Sequence, residues 1–375
     1  MDFSLTEEQQ LIRQAARDFA RGVVAPTAAE RDKQRRFPMD EFRKAGELGF
    51  CGLLVPEQYG GSELGAVAQS LVVEEVSRAC ASTGVTLAVH NGLVTSPIVR
   101  FGTEAQKQAL LPKLASGEWL GAYALSEAGA GSDAAALSCK AERDGDDWIL
   151  DGPKLWITSG AQCDLLIVFA RAEEGVTAFL VPATSEGFKV GKVEEKLGIR
   201  SSSTVEILMD KVRVPGDMLL GTVGKGLRVA FNTLDGGRIG IAAQSNGITQ
   251  ACLDASIKYC NEREQFGRPI GSFQAMQWKL AEISSQLDAA RLLTWHAASL
   301  RDTGEPHTRM AAQAKLVASQ LANRAGEDAV QIHGGAGYTT EFPVERYMRD
   351  ARITEIYEGT SEVQRIVIAR DLLGQ

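Results

Sequence analysis

The spacing of apolar residues changes twice along this 375-residue chain, and this change constrains the fold more than any other feature. Up to about residue 120 the apolar positions recur at helical intervals, with capping boxes at Thr6–Gln9 and Thr103–Gln106. From about 121 to 216 short strand patterns are separated by turn signals, with no helical pattern between them. Beyond Gly224 helical periodicity returns and persists. The sequence therefore predicts an α+β, mainly α protein.

Three domains follow from this pattern. Residues 1–120 are predicted to form an N-terminal all-α domain, and residues 225–375 a C-terminal antiparallel helix bundle. Residues 121–224 are predicted to form a middle β-barrel domain, with a sandwich as the alternative. The strand candidates lie at residues 137–142, 148–150, 165–169, 178–181 and 205–209.

The composition argues against several classes of protein. With 40 Lys and Arg against 48 Asp and Glu, the net charge of −8 does not suit a nucleic-acid binder. The six cysteines lack C-x-x-C spacing and His partners, so we expect no metal site and reduced thiols in the cytoplasm. No apolar run is long enough to cross a membrane, so we expect no membrane insertion.

The location of the protein is predicted from its first helix. Because a helical pattern begins at Thr6, no signal or transit peptide is expected. The sequence thus indicates a bacterial cytoplasmic protein, or a mitochondrial matrix protein if a presequence has been removed.

A Glu-Gly pair before the last predicted helix is a candidate for catalysis. Ser361 and Gln364 have capping-box spacing, which predicts a helix start at Ser361 and leaves Glu358 in the preceding loop. Gly359 lacks a Cβ and lets backbone and ligand approach closely. A carboxylate here can act as a base beside backbone N–H donors, or it can cap the helix. The spacing alone favours the cap.

Two other segments have the composition of binding loops. Residues 123–133, YALSEAGAGSD, combine small residues with hydroxyls, so an anion or flavin site and a plain turn are equally supported. A dinucleotide fold is not predicted, because G-x-G-x-x-G is not met and no βαβ unit surrounds the glycines. Trp156 lies in a strand pattern, where a tryptophan needs no function.

Charged and histidine residues leave further alternatives open. Asp235 and Arg238 share one face of a predicted helix and can simply form an ion pair. The run that contains Arg263 and Phe266 has the Gly and Pro of an ordinary helix end. His90 stands alone in an apolar helical stretch, so we interpret it as a core residue.

These motifs, in this order, resemble those of the acyl-CoA dehydrogenase family over essentially the whole chain. Residues 348–365, MRDARITEIYEGTSEVQR, are similar to the family's C-terminal signature, and residues 123–133 are similar to its flavin loop. The resemblance implies that Glu358 is the catalytic base. Gly237 stands where a branch of the family carries its base instead, which leaves that role to Glu358. Ser126 and Ser159 stand where Thr and Asn are common in the family.

The resemblance also implies an FAD cofactor and an acyl-CoA substrate. The residues that it places on FAD are Tyr123, Leu125, Ser126, Ser132, Trp156, Thr158, Arg263, Phe266, Gln274, Gln331, Gly335, Thr360 and Glu362. Within this set, Arg263 with Gln274, and Gln331 with Gly335, are expected to reach the FAD of a neighbouring subunit. The residues that it places on acyl-CoA are Ser132, Asp235, Arg238 and Gly359. His333 lies at a position where the family varies, so we interpret it as structural.

The expected activity is conversion of an acyl-CoA to the trans-2-enoyl-CoA, as in fatty-acid β-oxidation, by a protein most similar to short-chain family members. The family implies a homotetramer, a dimer of dimers, that passes electrons to an electron-transfer flavoprotein. A flavin oxidase or monooxygenase of the nitroalkane oxidase kind, or a non-catalytic scaffold, has the same fold. Retention of Glu358 and Arg263 argues against these alternatives.

Overall fold

The computed structural model describes residues 4–374, and its first part is helical as predicted. Both capping boxes are confirmed, since the hydroxyls of Thr6 and Thr103 each accept from a backbone N–H three residues later, at 3.2 Å. The helices are α1 Glu7–Phe19, α2 Ala25–Gln34, α3 Met39–Glu47, α4 Gly65–Ala79, α5 Ala81–Val89, α6 Ser96–Phe101 and α7 Glu104–Ala115. Their inner faces enclose an apolar core that includes Phe19, Phe42 and Leu53.

The middle part is one sheet of eight strands within the described residues. The strands are β1 Gly121–Ala124, β2 Lys140–Asp144, β3 Asp147–Thr158, β4 Leu165–Ala172, β5 Gly175–Pro182, β6 Phe188–Val193, β7 Thr204–Val214 and β8 Leu219–Leu220. Their order is β6-β7-β3-β2-β4-β5-β8, and β1 runs parallel to β4. Trp148, Leu150 and Phe179 belong to a core built by the strands themselves. The sheet therefore encloses its own core, and its path ends at β6 and β8.

All five predicted strand segments are found, and three strands were missed. Strand β1 is only four residues long and wholly buried, so it shows no alternation. Strand β6 lies at one end of the sheet and is largely exposed, which weakens its apolar pattern. The two residues of β8 are too short to give a signal.

The C-terminal part is the predicted set of long helices. They are α8 Gly226–Glu262, α9 Gln274–Asp302, α10 Thr308–His333, α11 Val344–Arg352 and α12 Ser361–Leu373. Helix α11 was not predicted, because charged residues dominate its sequence. Helix α8 packs against α4, α9 and α10, so it joins the two helical parts. The carboxylate of Glu74 in α4 adds a buried ion pair at 2.7 Å with Arg291 in α9.

Several properties of the described chain bear on function. All six cysteines are buried free thiols. Within residues 4–374 no cluster of His, Cys, Asp or Glu side chains is arranged to hold a metal ion. None of the helices described has both the length and the apolar character needed to cross a membrane.

Candidate active site

The loop before α12 holds Glu358 in a strained backbone conformation. Glu358 has φ +55° and Gly359 has φ +89°, in the left-handed region that few residues other than glycine adopt readily. The side-chain amide of Gln364 donates to the carbonyl oxygens of Glu358 at 3.2 Å and Gly359 at 2.7 Å. The loop is therefore fixed by contacts from the first turn of α12.

The helix cap differs from the prediction by one residue. Thr360, not Ser361, is the N-cap, and its hydroxyl accepts from the N–H of Val363 at 3.3 Å. The predicted box of Ser361 and Gln364 is wrong, because Gln364 is engaged with the Glu358 loop instead. Since Thr360 supplies the side-chain cap, the interpretation of Glu358 as the capping residue is also wrong.

The Glu358 carboxylate points into the protein without a partner. Its Oε2 is inaccessible to solvent and makes no hydrogen bond, although the residue as a whole is only half-buried. A Cβ added to Gly237 of α8 would lie 2.6 Å from this oxygen and 2.9 Å from the side chain of Leu93. The lack of a side chain at Gly237 thus makes room for the carboxylate.

Burial sets the protonation of this carboxyl group. It raises the pKa of Glu358 to about 7, against the lowering effect of the positive charges on Lys315 and Arg238. Burial is the larger of these opposing effects. A carboxyl group that is half ionised near neutral pH suits a general base.

Arg238 and Asp235 form the ion pair that their spacing allowed, at 2.6 Å, with side chains only 7% and 13% exposed. Asp235 also accepts from the hydroxyl of Thr308 at 2.6 Å. The Nε of Arg238 is buried and unpartnered, and its charge acts on Glu358. The structure therefore places Arg238 near the candidate base, with Asp235 paired to it; these are two of the four predicted substrate residues.

The predicted flavin loop and the tryptophan strand lie side by side. The N–H of Leu155 donates to the carbonyl oxygen of Ser126 at 2.9 Å. The Lys154 ammonium donates to the carboxylate of Glu127 at 2.6 Å and to the carbonyl oxygen of Leu125 at 3.3 Å. Both side chains of this ion pair are buried. The pair therefore fixes the loop on strand β3.

Glu127 organises the loop through several donors at once. It also accepts from the N–H and hydroxyl of Ser138, at 2.6 and 2.8 Å, and from the N–H of Cys139 at 3.0 Å. Burial alone would raise the pKa of this carboxyl, but the hydrogen bonds from Lys154, Ser138 and Cys139 lower it. Glu127 is consequently held as a carboxylate.

A bulge in β3 directs Trp156 out of the sheet. The register with β7 shifts between Lys154 and Ile157, and Trp156 has φ +63° with 56% of its surface exposed. Ser159 has φ +63° and is buried, so the Ser-for-Asn departure lies at a position of constrained loop geometry. An exposed indole beside a loop of small residues provides an apolar surface for a flat ring system.

Buried polar atoms support this fit to a flavin. The Tyr123 hydroxyl is buried without a partner, as is the hydroxyl of Ser159. Burial, with the Glu358 charge, raises the pKa of Tyr123 well above its usual value. Tyr123 is thus close enough to Glu358 for the charge of the candidate base to affect its pKa. The first group of predicted FAD residues therefore lies on two adjacent segments, Tyr123, Leu125 and Ser126 on one and Trp156 and Thr158 on the other, with the exposed Ser132 further along the first.

A second group of predicted FAD residues lies apart on the surface. Phe266 is 93% exposed at a tight turn, and Arg263, Gln274, Gln331 and Gly335 are also exposed. Within the described chain, no hydrogen bond or ion pair connects this group with the first. Thr360 and Glu362 lie at the start of α12, close to Glu358 in sequence. A single chain therefore does not assemble all of the predicted contacts.

The two histidines singled out from the sequence have structural environments. Burial lowers the pKa of His90 to about 4, and its ring nitrogens meet the Leu114 carbonyl at 2.9 Å and the Gly121 N–H at 3.1 Å. His333 is buried and stacks on Tyr259, with ring centroids 4.2 Å apart. The interpretation of His90 as a core residue is confirmed, and His333 has the packing expected of a structural residue.

Three contributors to the site were not predicted from the sequence. No role was predicted for Lys315 or for the Lys154–Glu127 pair, and Gln364 was assigned to a capping box rather than to the Glu358 loop. A signal existed for Lys315, because it lies among small and apolar residues of the α10 pattern, where a charge is out of place. Lys154 and Glu127 are 27 residues apart and are brought together by the fold, whereas the contact of Gln364 with Gly359 spans only five residues.

Comparison with known proteins gives concordant results. Models of the acyl-CoA dehydrogenase N-terminal, middle and C-terminal domains match residues 6–118, 122–212 and 224–373. The mitochondrial short-chain specific acyl-CoA dehydrogenase of Rattus norvegicus is 49% identical over 374 residues, covering 98% of this chain and 91% of that protein. The structure of butyryl-CoA dehydrogenase from Megasphaera elsdenii is 43% identical, with a TM-score of 0.98 over 100% of both chains. A chain from a study of the electron transferring flavoprotein of Acidaminococcus fermentans, concerned with flavin-based electron bifurcation, is 46% identical, with a TM-score of 0.99 over 100% of both chains.

Proposed function

The chain belongs to the acyl-CoA dehydrogenase family, and from this premise we propose that it oxidises a short-chain acyl-CoA to the trans-2-enoyl-CoA, with Glu358 as the base. It is an FAD-dependent oxidoreductase. FAD, when bound, supplies the acceptor for the β-hydride. The short-chain preference rests on the short-chain and butyryl-CoA dehydrogenases among its relatives.

The observation that carries the proposal is the unpartnered Oε2 of Glu358. It is buried against Gly237 and has a pKa raised to about 7 by burial. Such an oxygen can take the α-proton of a thioester substrate at neutral pH, because it is not committed to any protein donor. Arg238 and Asp235 are proposed to contact the CoA portion, and Ser132 and Gly359 the region of the thioester.

We propose that the first group of FAD residues holds the flavin and that Trp156 and Thr158 lie against its ring. The buried side chains of Tyr123 and Leu93 lie near Glu358, and we propose that they help to exclude water from the base. The second group, Arg263, Phe266, Gln274, Gln331 and Gly335, is proposed to contact the FAD of a neighbouring subunit. Its exposure in one chain supports a homotetramer built as a dimer of dimers.

Further predictions accompany this function. We propose an electron-transfer flavoprotein as the electron acceptor, supported by the similarity to the Acidaminococcus fermentans chain. The domain boundaries at 120/121 and 224/225 and the cytoplasmic location stay predictions.

The test is an anaerobic absorbance titration of the FAD-loaded protein with a panel of acyl-CoAs. Bleaching of the flavin band by short acyl chains is the expected result. A bound flavin that no acyl-CoA reduces, but that reacts with oxygen and a nitroalkane, would favour the oxidase alternative. A protein that binds no FAD even when FAD is added would leave only the scaffold.

Arg263→Ala is expected to weaken FAD binding roughly 10- to 100-fold, because a charge-assisted hydrogen bond to phosphate contributes about 1.5–3 kcal/mol. The measurement is FAD affinity, with light scattering to follow the tetramer. The control is Arg36→Ala, another exposed arginine of the chain. If both variants keep the affinity of the unaltered protein, the contact across subunits is wrong; a clean monomer before any substitution would contradict the tetramer.

Gly237→Ala is expected to slow flavin reduction by acyl-CoA about 10²-fold, since the added Cβ displaces the Glu358 carboxylate. The fold should survive, because the clash meets the flexible ends of Glu358 and Leu93. Gly240→Ala is the matched control on the same helix, as its Cβ meets nothing closer than the Ala88 side chain at 3.3 Å. Rates come from anaerobic stopped-flow absorbance, and equal rates in the two variants would refute the displacement.

A further inference from the structure

Lys315 of helix α10 is wholly buried, with 0% of its surface exposed. Its ammonium donates to the carbonyl oxygen of Gly359 at 2.7 Å. That oxygen belongs to the residue that follows the proposed base, in the loop where both residues have positive φ. A buried cation is thus attached directly to the backbone that presents the Glu358 carboxylate.

The charge of Lys315 has no dedicated counter-ion. Among the ion pairs of the described residues none includes Lys315, and its ammonium donates to a neutral carbonyl. Burial lowers the pKa of Lys315 to about 8, while the Glu358 charge acts in the opposite direction. Burying a lysine ammonium without a paired carboxylate costs folding free energy. A neutral side chain could donate the same hydrogen bond to Gly359 at a lower cost, so a purely structural role does not explain the charge.

The other charged and titratable groups around Glu358 do not replace Lys315. Arg238 from α8 is paired with Asp235, which offsets its charge. Tyr123 from β1 and Tyr357 from the same loop both have pKa values raised by burial, so they stay neutral. Glu355 and Glu362 flank the loop and act on Lys315 more weakly than Glu358 does. Lys315 is therefore the main unneutralised cation acting on the base.

We propose that Lys315 is a positioning residue for the base: it holds the Gly359 carbonyl and, through its buried positive charge, favours the ionised form of Glu358. This inference rests on the proposed function, since it assumes that Glu358 takes the proton. The pKa of Glu358 is lowered first by Lys315 and then by Arg238, in agreement with this role. The charge brings the base into its working range, because burial alone would move its pKa further upward.

Gln364 provides a matched control within the same loop. Its Nε2 donates to the same Gly359 oxygen at the same distance, 2.7 Å, but carries no charge. Loss of either donor removes one hydrogen bond from Gly359. Only loss of Lys315 removes a positive charge near Glu358, so the two substitutions separate geometry from electrostatics.

The experiment compares Lys315→Met and Gln364→Leu in FAD-loaded protein. The rate of flavin reduction by a short acyl-CoA is followed by anaerobic stopped flow over about pH 5–9. In Lys315→Met the pKa of Glu358 rises, so the midpoint of the rate profile is expected to move up by about one pH unit. The rate at pH 7 falls roughly fivefold and recovers at higher pH. In Gln364→Leu the rate is expected to fall without movement of the midpoint.

A second readout does not depend on turnover. Infrared difference titration reports ionisation of the Glu358 carboxyl, whose band is identified by its absence in Glu358→Gln. The band midpoint is expected to move upward in Lys315→Met and to stay in Lys315→Arg, which keeps the charge. If Lys315→Met does not fold, Lys315→Gln is a second neutral variant.

The outcomes separate this inference from the proposed function. An unchanged midpoint in a folded, FAD-containing neutral variant would overturn the role of Lys315 and leave Glu358 as the base. A midpoint that moves equally in Gln364→Leu or Lys315→Arg would also overturn it, because geometry would then be the cause. Undiminished flavin reduction in Glu358→Gln would instead remove Glu358 from the role of base, on which this inference rests, whereas a bound flavin that acyl-CoA does not reduce in the unaltered protein would contradict the proposed activity.

Discussion

Glu358→Gln is expected to keep FAD bound and to lose flavin reduction by acyl-CoA about 10³-fold or more, within the upper range for loss of a general base. The substitution keeps the size of the side chain and removes its ability to accept a proton. Stopped-flow absorbance under anaerobic conditions measures the rate, and the flavin spectrum verifies the cofactor content. Substantial residual reduction would exclude Glu358 from the role of base.

The pH dependence of the unaltered protein follows from the same group. Burial raises the pKa of Glu358 to about 7, so the reduction rate is expected to increase as pH rises through about 7 and the carboxyl ionises. Glu358→Gln should lose this dependence together with the activity. A rate profile without a transition near neutral pH would argue that another group limits the proton transfer.

Stability provides an independent check on Glu358. Its folded pKa lies above the unfolded one, so the carboxyl costs no stability at low pH, where it is neutral in both states. As pH rises through the folded pKa, the unfolded state has already ionised, and the fold loses roughly 3 kcal/mol. At pH values above about 7, Glu358→Gln should therefore raise the midpoint temperature of thermal unfolding. Near pH 4 it should leave that temperature unchanged. A lower midpoint at high pH would mean that the carboxylate is paired.

Lys154→Met is expected to destabilise the middle sheet by about 3–5 kcal/mol, because it leaves the buried carboxylate of Glu127 without its cation. The predicted flavin loop is attached to β3 through this pair, so FAD retention should fall together with the thermal midpoint. Differential scanning fluorimetry and flavin content after gel filtration measure the two effects.

A matched variant distinguishes burial from charge alone. Lys189 pairs with Asp210 at 2.7 Å, but the two side chains are 60% and 61% exposed. Lys189→Met is expected to leave the midpoint and the FAD content almost unchanged, since solvent screens such pairs. Adding Glu127→Gln to Lys154→Met should restore part of the stability, because the uncompensated charge is then gone. Equal midpoints for the two single variants would show that the buried pair contributes little.

Low pH is expected to destabilise the protein by protonating the carboxylate of Glu127. Hydrogen bonds hold the pKa of Glu127 below its usual value despite burial, so the stability that it contributes is present above the unfolded pKa. That stability is lost as pH falls through the depressed folded value. We therefore expect loss of FAD at low pH to be accompanied by release of the loop from β3.

The architecture was largely predictable because the period of the apolar residues is a local property. Helix α8 begins at Gly226, just beyond Gly224 where helical periodicity returns, and all five predicted strand segments are present. The failures occurred where local signals are weak, in the short β1, the edge strand β6 and the highly charged α11. The helix cap at Thr360 differs by one residue, since two adjacent hydroxyl residues compete for that position.

Motif order likewise identified the family and the candidate base from the sequence alone. Residue type and spacing placed Glu358 beside a helix start and Tyr123, Ser126 and Trp156 on a loop and a strand. These assignments depend only on residue types and on their spacing within short stretches of chain. They left the capping and catalytic interpretations of Glu358 both open.

Only the tertiary structure decided against the cap, which Thr360 supplies, and only it sets the protonation of Glu358, because protonation depends on what surrounds a group in space. Gly237, 121 positions before Glu358 in the sequence, leaves the room that its carboxylate fills, and burial there raises the pKa to about 7. Lys315 reaches the Gly359 carbonyl from another helix, and Lys154 reaches Glu127 across the sheet. No local pattern encodes such contacts, since they arise from the free energy of packing whole elements together.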